Sequence, residues 1–314
     1  MKKLSLLVLS FISTFLWAQF TSPGTGVTYT LSSLSAAAPT VFVNNGTYYQ
    51  MTANVTISNG DTLLMDENTT VKIDGGLVLT VAGVYNTTAT NLLITATDPT
   101  VIFKGIRLES TANATFKNTV LEYGGGIQAL TGKFQMDNCT VRYFKSGQST
   151  GAAVNFSTGN PVVKNSKFIE NDLPAVASGA NSSVALEFTN NYLQGNTKLN
   201  SNRPQINMGP SGAGGLVKVL NNTVIGNRAN DKVGAISVSS LLGVANQVQI
   251  EGNIVTDNRY GITVTGNNCS GTIAGNILTN NNTETVAANG GSGINLYGNG
   301  SFKVENNQIR GSLW

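Results

Sequence analysis

The chain has 314 residues, 40% hydrophobic and 11% charged, enough apolar material for a sizeable core and too much for a disordered chain. Nineteen basic against 16 acidic residues give a net +3, two units of which are Lys2 and Lys3 of a leader; no Lys/Arg cluster of the kind that tracks nucleic-acid phosphates is present. Histidine is absent, which excludes Ser-His-Asp triads, Cys-His pairs and every His-bearing metal site.

Lys2 and Lys3 precede an apolar run from Leu4 to Leu16, and Trp17-Ala18-Gln19 offers a small residue for cleavage. Residues 1–18 therefore read as a secretory signal peptide, and a secreted, periplasmic or cell-surface protein is expected. The run falls short of the ~20 residues of a transmembrane helix, and no other stretch approaches that length, so no membrane span is expected. Residues 19–39 are expected to cap the fold, with a short helix over Leu31 to Ala38 stopped by Pro39. The stretch 40–314 forms the remaining domain.

From residue 114 onward one segment recurs: an apolar residue, any residue, Asn or Gly, two residues, and a second apolar residue. Copies include Phe116-Lys117-Asn118 with Leu121, Val163-Lys164-Asn165 with Phe168, Val219-Leu220-Asn221 with Val224, and Ile273-Ala274-Gly275 with Leu278. The Asn or Gly falls at 118, 138, 165, 190, 221, 252, 275 and 306, a period that marks a solenoid. Each unit adds another alternating stretch led mostly by Gly or a small residue, such as Gly234-Ala235-Ile236-Ser237-Val238 or Gly261-Ile262-Thr263-Val264. A coil thus holds about three short strands, with Val219, Val224 and Ile236 inside. Units in phase pair in parallel up a stack, unlike the hairpins of a β-sandwich. The expected fold is an all-β, right-handed parallel β-helix.

The chain contains 39 Asn, 29 of them beyond residue 150. Asn118, Asn138, Asn165, Asn190, Asn221 and Asn306 are expected at left-handed corners, with Gly252 and Gly275 substituting, because Asn tolerates that backbone better than other non-glycine residues. Their amides are expected to bond along the column. Cys139 and Cys269 lie several coils apart, beyond the ~7 Å that a disulfide spans, and read as free, buried or partly buried thiols.

The phased Asn corners and Gly-Ile-x-Val strands, with Val55-Thr56-Ile57, Val71-Lys72-Ile73 and Gly105-Ile106-Arg107-Leu108 upstream, resemble secreted bacterial proteins of the right-handed parallel β-helix, or pectin-lyase-like, superfamily. The resemblance covers about residues 40 to 314. It implies a fold and leaves function open, since that superfamily includes polysaccharide lyases, glycoside hydrolases, epimerases and adhesins. In its lyases carboxylates commonly hold Ca²⁺ against a sugar acid while Arg or Lys acts as base, so the resemblance keeps Ca²⁺ as a cofactor in that one case.

Aligning the copies stacks Tyr123, Tyr143, Glu170, Gly195, Gly226, Asp257 and Asn280 in one outward column, with Glu122 beside Arg142 one residue earlier. Two charged clusters result. Arg142, Lys145, Glu170 and Asp172, with Tyr123 and Tyr143, are candidates for substrate binding; Arg228, Asp231, Asp257 and Arg259 are candidates for catalysis. Ion pairing of Glu122 with Arg142 and of Lys145 with Asp172 on a solvated face explains the first cluster as well, at ~0.2–1 kcal/mol a pair. Arg228 above Arg259 needs a carboxylate or an anion to compensate it. Tyr123 over Tyr143 reads as a stabilising ladder or a sugar platform. The expected function is a secreted scaffold acting as an adhesive or carbohydrate-binding surface, without catalysis, resident metal or cofactor, and with a polysaccharide or cell-surface glycan as partner. The alternative is a lyase or hydrolase of an acidic polysaccharide. Residues 309–314 stop inside a unit, so Trp314, a docked partner or a missing domain is expected to cover the last coil.

Overall fold

The computed structural model describes residues 19–298 and 300–313. The expected signal peptide, 1–18, and Trp314 lie outside them. Strands of two to six residues wind into a parallel solenoid. One coil comprises Ile127–Ala129, Lys133–Asp137 and Thr140–Arg142; the next comprises Val154–Phe156, Val162–Lys164 and Lys167–Ile169. Each coil lays one strand on each of three sheets, taken here in chain order as sheets 1, 2 and 3, with 11, 11 and 12 strands. Pairing between strands is parallel except where Phe42–Asn44 folds back on Tyr49–Met51.

Register explains the core. Val141, Phe168, Leu193, Val224, Val255 and Leu278 are successive partners on sheet 3, and every one is fully buried. Burial of such side chains contributes ~1.5–3 kcal/mol each. Aromatic rings also stack along the axis: Tyr85 on Phe116 at 4.3 Å, Phe116 on Phe134 at 5.6 Å, and Phe134 edge-on to Phe156 at 5.2 Å.

The corners carry the turn of the chain. Asn118, Asn138, Asn165, Asn190, Asn221 and Asn306 all have φ between 49° and 58°, and Gly252 and Gly275 follow at 68° and 64°. From Thr119–Glu122 onward each sheet 3 strand therefore starts just after a left-handed residue. Most of them end in another, five positions on from the first: Tyr123, Tyr143, Glu170, Gly195, Asp257 and Asn280 have φ between 51° and 61°. The sequence reading took this second column for outward strand positions.

The amide ladder is displaced by one residue from its expected place. Along the Asn118 column only Asn138 Nδ2 bonds a fellow member, Asn118 Oδ1, at 2.8 Å, and Asn165 turns to Asp137. The continuous ladder runs through Asn191, Asn222, Asn253, Asn276 and Asn307. The backbone N–H and Nδ2 of each of the first four donate to the next Oδ1 at 2.8–3.1 Å, and each Nδ2 also reaches a carbonyl of the coil below, Phe188 in the case of Asn222. A left-handed corner residue projects to solvent while its successor turns inward, where a buried amide must satisfy its hydrogen bonds. At the other corner Asn171, Asn196, Asn258 and Asn281 form a matching ladder. Gln205 fills the gap left by exposed Asn227, accepting from Asn196 Nδ2 and donating to Asn258 Oδ1, both at 3.0 Å.

Cys139 occupies the first ladder's column below Ser166, whose Oγ accepts its backbone N–H. Both thiols are free and buried, and burial pushes that of Cys139 up to about 12.

The rungs begin earlier than a boundary at residue 40. Phe20–Thr21 pairs with Val55–Ile57 and Thr28–Thr30 with Thr62–Met65. Helix α1, Leu31–Ala37, is capped by Thr30 and buries Leu31 and Leu34. Asp61, wholly buried, fastens this end: its carboxylate accepts the N–H groups of Gly24, Gly26 and Val27 at 2.7–2.9 Å. Those bonds and one from Ser22 outweigh burial, the largest single influence, and hold its pKa below the ordinary carboxylate value. At the far end the inward residues Leu296, Val304 and Ile309 are exposed.

Candidate functional site

In the three-residue strands of sheet 3 the middle side chain points in and the flanking two point out. Near the helix-capped end this face forms a groove of about 470 Å³, lined by Thr47, Asn68, Thr69, Thr70, Asn91, Leu93, Val120 and Arg142. Thr70, Leu93 and Val120 are successive partners, so two apolar side chains, Leu93 and Val120, sit in the floor of an otherwise polar groove. Its rim is set by Asn68, whose Oδ1 accepts the N–H groups of Thr90 and Asn91 at 2.8 and 2.9 Å.

Arg142 closes one end. Its guanidinium grips Glu122 Oε2 from Nε at 2.7 Å and Nη2 at 2.6 Å, and Thr95 Oγ1 donates to the other carboxylate oxygen at 3.1 Å. The same guanidinium lies 5.5 Å from the centre of the Tyr143 ring, which stacks on Tyr123 at 5.3 Å and 23°. The structure thus brings Tyr123, Tyr143 and Arg142 together beside an open groove. Tyr143 and Tyr123 hold the left-handed backbone that Asn or Gly would adopt at less cost.

The other cluster members disperse. Lys145 and Asp172 form no ion pair with each other among the described residues, although their backbones stack through Gly124 and Phe144; past the second corner the chain enters loops and the side chains no longer share a strand register. Glu170 faces Lys198 at 3.5 Å across a cleft of about 290 Å³ that also includes Gly195 and Arg228. Arg228 binds Asp257 at 2.9 Å and Asn282 Oδ1 at 3.0 Å, which supplies the carboxylate its position over Arg259 demands. Asp231 accepts from Asn200 at 2.7 Å instead. Arg259 reaches Asn202 Oδ1 and the Asn289 carbonyl. The four catalytic candidates therefore fall into three separate contacts. Among the described residues no three or more His, Cys, Asp or Glu side chains gather in a way that could hold a metal ion.

A family model described as a right handed beta helix region matches residues 78–309. This chain belongs to the right-handed β-helix family. Its three parallel sheets are consistent with the pectin-lyase-like superfamily. No curated protein and no solved structure matches the chain. No helix among the described residues is long and apolar enough to cross a membrane.

Further along the β-helix, the outward pairs of sheet 3 become Tyr192 and Gln194, Thr223 and Ile225, Ile254 and Thr256, and Ile277 and Thr279. None is charged. Around the corner on sheet 1, Arg259, Tyr260, Thr263, Ser292 and Asn295 line a cavity of about 250 Å³, where burial pushes the Tyr260 phenol up to about 12. Sequence reasoning missed Leu93, Val120, Tyr192 and Tyr260. Leu93 precedes the clear repeats and Val120 falls within the first of them; the x-apolar-x spacing of Leu93-Ile94-Thr95 and Val120-Leu121-Glu122 places both on the outer face.

Proposed function

We propose that this chain is an exported β-helix scaffold that binds glycan on the outer face of sheet 3 and leaves it chemically unchanged. The observation that carries this reading is the Tyr143–Tyr123 stack with Arg142 beside a groove that holds Leu93 and Val120 in its floor and amides at its rim. Aromatic faces take the apolar face of a sugar ring, and polar groups at a rim fix its hydroxyls. The left-handed backbone at both tyrosines favours recognition over a purely stabilising ladder, since residues held at such a cost cluster at ligand sites.

Tyr143→Asn separates the two roles. Asn suits the left-handed corner, so the fold keeps its stability while the platform is lost. Retardation on glycan affinity gels is expected to fall at least tenfold, about 1.4 kcal/mol, with an unchanged melting temperature. A ladder without ligand predicts the opposite pattern. Failure of the parent protein to be retarded by any glycan gel removes the proposal and leaves a structural or protein-binding role.

A second reading, cleavage of an acidic polysaccharide, is favoured by the cavity at Arg259 and Tyr260. Arg259 supplies a fixed positive charge there, and Ca²⁺ would have to be supplied with the substrate. Product release from uronic-acid glycans, with or without Ca²⁺, that disappears in Arg259→Ala supports it; absence of product across the panel removes it.

A further inference from the structure

The upper part of sheet 3 departs from what water alone asks of a sheet face. Over four consecutive rungs, from Tyr192–Gln194 to Ile277–Thr279, all eight outward side chains are uncharged. Ile254 and Ile277, directly paired, are 48% and 39% exposed. The corresponding rungs of sheet 2 place Glu187, Lys218 and Glu251 outward. Two paired, exposed isoleucines set in a run of neutral side chains form a small apolar platform, the kind of surface that meets another molecule.

The shape of the strip selects the class of molecule. Sheet 3 is continuous from Thr70–Ile73 at the groove to Ile277–Thr279, eight steps in its strand order, or roughly 38 Å at ~4.8 Å a step. Its two outward columns stand only ~7 Å apart, two residues along a strand. That area is on the order of a few hundred Å², against ~800 Å² for one side of a stable protein interface. An extended peptide would add to an unpaired sheet edge, and this face has its backbone groups already paired. Between groove and platform this face carries the Arg142–Glu122 pair and the exposed Lys167; above them the hydroxyl, amide and methyl groups of the four neutral rungs, with Tyr192 among them, suit a long, extended, uncharged chain.

We propose that the ligand is an uncharged polysaccharide lying parallel to the solenoid axis, held at one end by the groove with Tyr143 and Tyr123 and along its length by the Ile254/Ile277 platform. This rests on the glycan-binding reading above. Affinity then grows with chain length until the oligomer spans about 38 Å.

A length series of soluble β-1,4-linked glucan oligomers tests it by calorimetry on the full mature chain, with polygalacturonate as charged control. Oligomers long enough to cover the strip are expected to bind at least tenfold more tightly than those confined to the groove. Ile254→Glu with Ile277→Glu is expected to bring long oligomers down to the affinity of short ones while short-oligomer binding stays unchanged. Ile254→Ser with Ile277→Ser serves if the charged pair fails to fold, and Lys218→Glu on sheet 2 serves as the indifferent control. Equal affinity for short and long oligomers, indifference to the platform substitutions, or preference for polygalacturonate overturns this proposal alone. Absence of binding at every length overturns it together with the glycan-binding reading.

Discussion

Sheets 2 and 3 share every rung and meet at the same left-handed corner, yet their outer faces obey different rules. On sheet 2 opposite charges neutralise one another, between rungs as Lys164 with Asp137 at 3.6 Å and Lys218 with Glu187 at 3.1 Å, and within one strand as Lys303 with Glu305 at 2.8 Å. On sheet 3 the one tight pair among the described residues, Arg142 with Glu122, is backed by Thr95 and a tyrosine ring, and the four rungs from Tyr192–Gln194 to Ile277–Thr279 carry no charge. Inner positions are dictated by packing and are alike on both sheets. Outer positions answer to whatever touches them, and the contrast separates a solvated wall from a contact face.

The largest expected effect lies at the corner that joins the two sheets, where neighbouring residues have opposite jobs. Asn222→Ala removes a buried amide that accepts the Asn191 N–H and donates to the Phe188 carbonyl. Stranding those groups is expected to cost ~2–4 kcal/mol, read as a lower urea midpoint. Asn221→Ala, one residue earlier and exposed, loses only its tolerance of the left-handed backbone, ~1 kcal/mol. Equal losses at the two positions would refute the displaced ladder.

On sheet 3, Arg142→Ala leaves Glu122, whose side chain is only 11% exposed, with Thr95 alone. A loss of ~1–3 kcal/mol is expected, with Glu122→Gln costing less because it keeps the packing and a neutral hydrogen-bonding group.

At the helix-capped end, where both sheets start, stability is tied to pH through Asp61. Its folded pKa lies below the unfolded value, so its contribution is fully present at neutral pH and is lost as pH falls through the depressed folded value. Hydrogen exchange is expected to show residues 20–30 opening before the central rungs as pH drops below ~3.8, and Asp61→Asn is expected to remove the difference. Simultaneous opening of both regions would place the pH-sensitive groups elsewhere.

How far these features can be read from sequence follows the same division between inside and outside. The fold was legible because each coil repeats a left-handed corner and an inward apolar residue at fixed spacing, from Asn118 with Leu121 to Asn306 with Ile309. The ladder was misplaced by one residue because Asn221-Asn222 and Asn190-Asn191 carry the same amide twice, and composition cannot tell which member points inward. Tyr123, Tyr143 and Arg142 lie together because each sits within a strand or at its corner, where coils stay in register. Lys145, Asp172 and Asp231 did not, because beyond the second corner insertions of varying length break the register on which alignment between coils depends. The neutral rungs from Tyr192 to Thr279 carry no motif that a sequence displays, because Thr, Gln and Ile at outward strand positions are individually ordinary and only their stacking makes a surface.

The smallest effect is expected from the wall itself. Glu187 and Lys218 are each about two-fifths exposed, so Coulomb attraction there is weakened by water and offset by the entropy of holding two long side chains. A double-mutant cycle with Glu187→Ala and Lys218→Ala is expected to give a coupling of ~0.2–1 kcal/mol that shrinks further near 1 M salt, where the screening length is ~3 Å. Glycan retardation is expected to stay at the parent level in both single variants. A loss of retardation as large as that of Tyr143→Asn would mean that sheet 2, not sheet 3, meets the ligand, and the division between the two faces would have to be reversed.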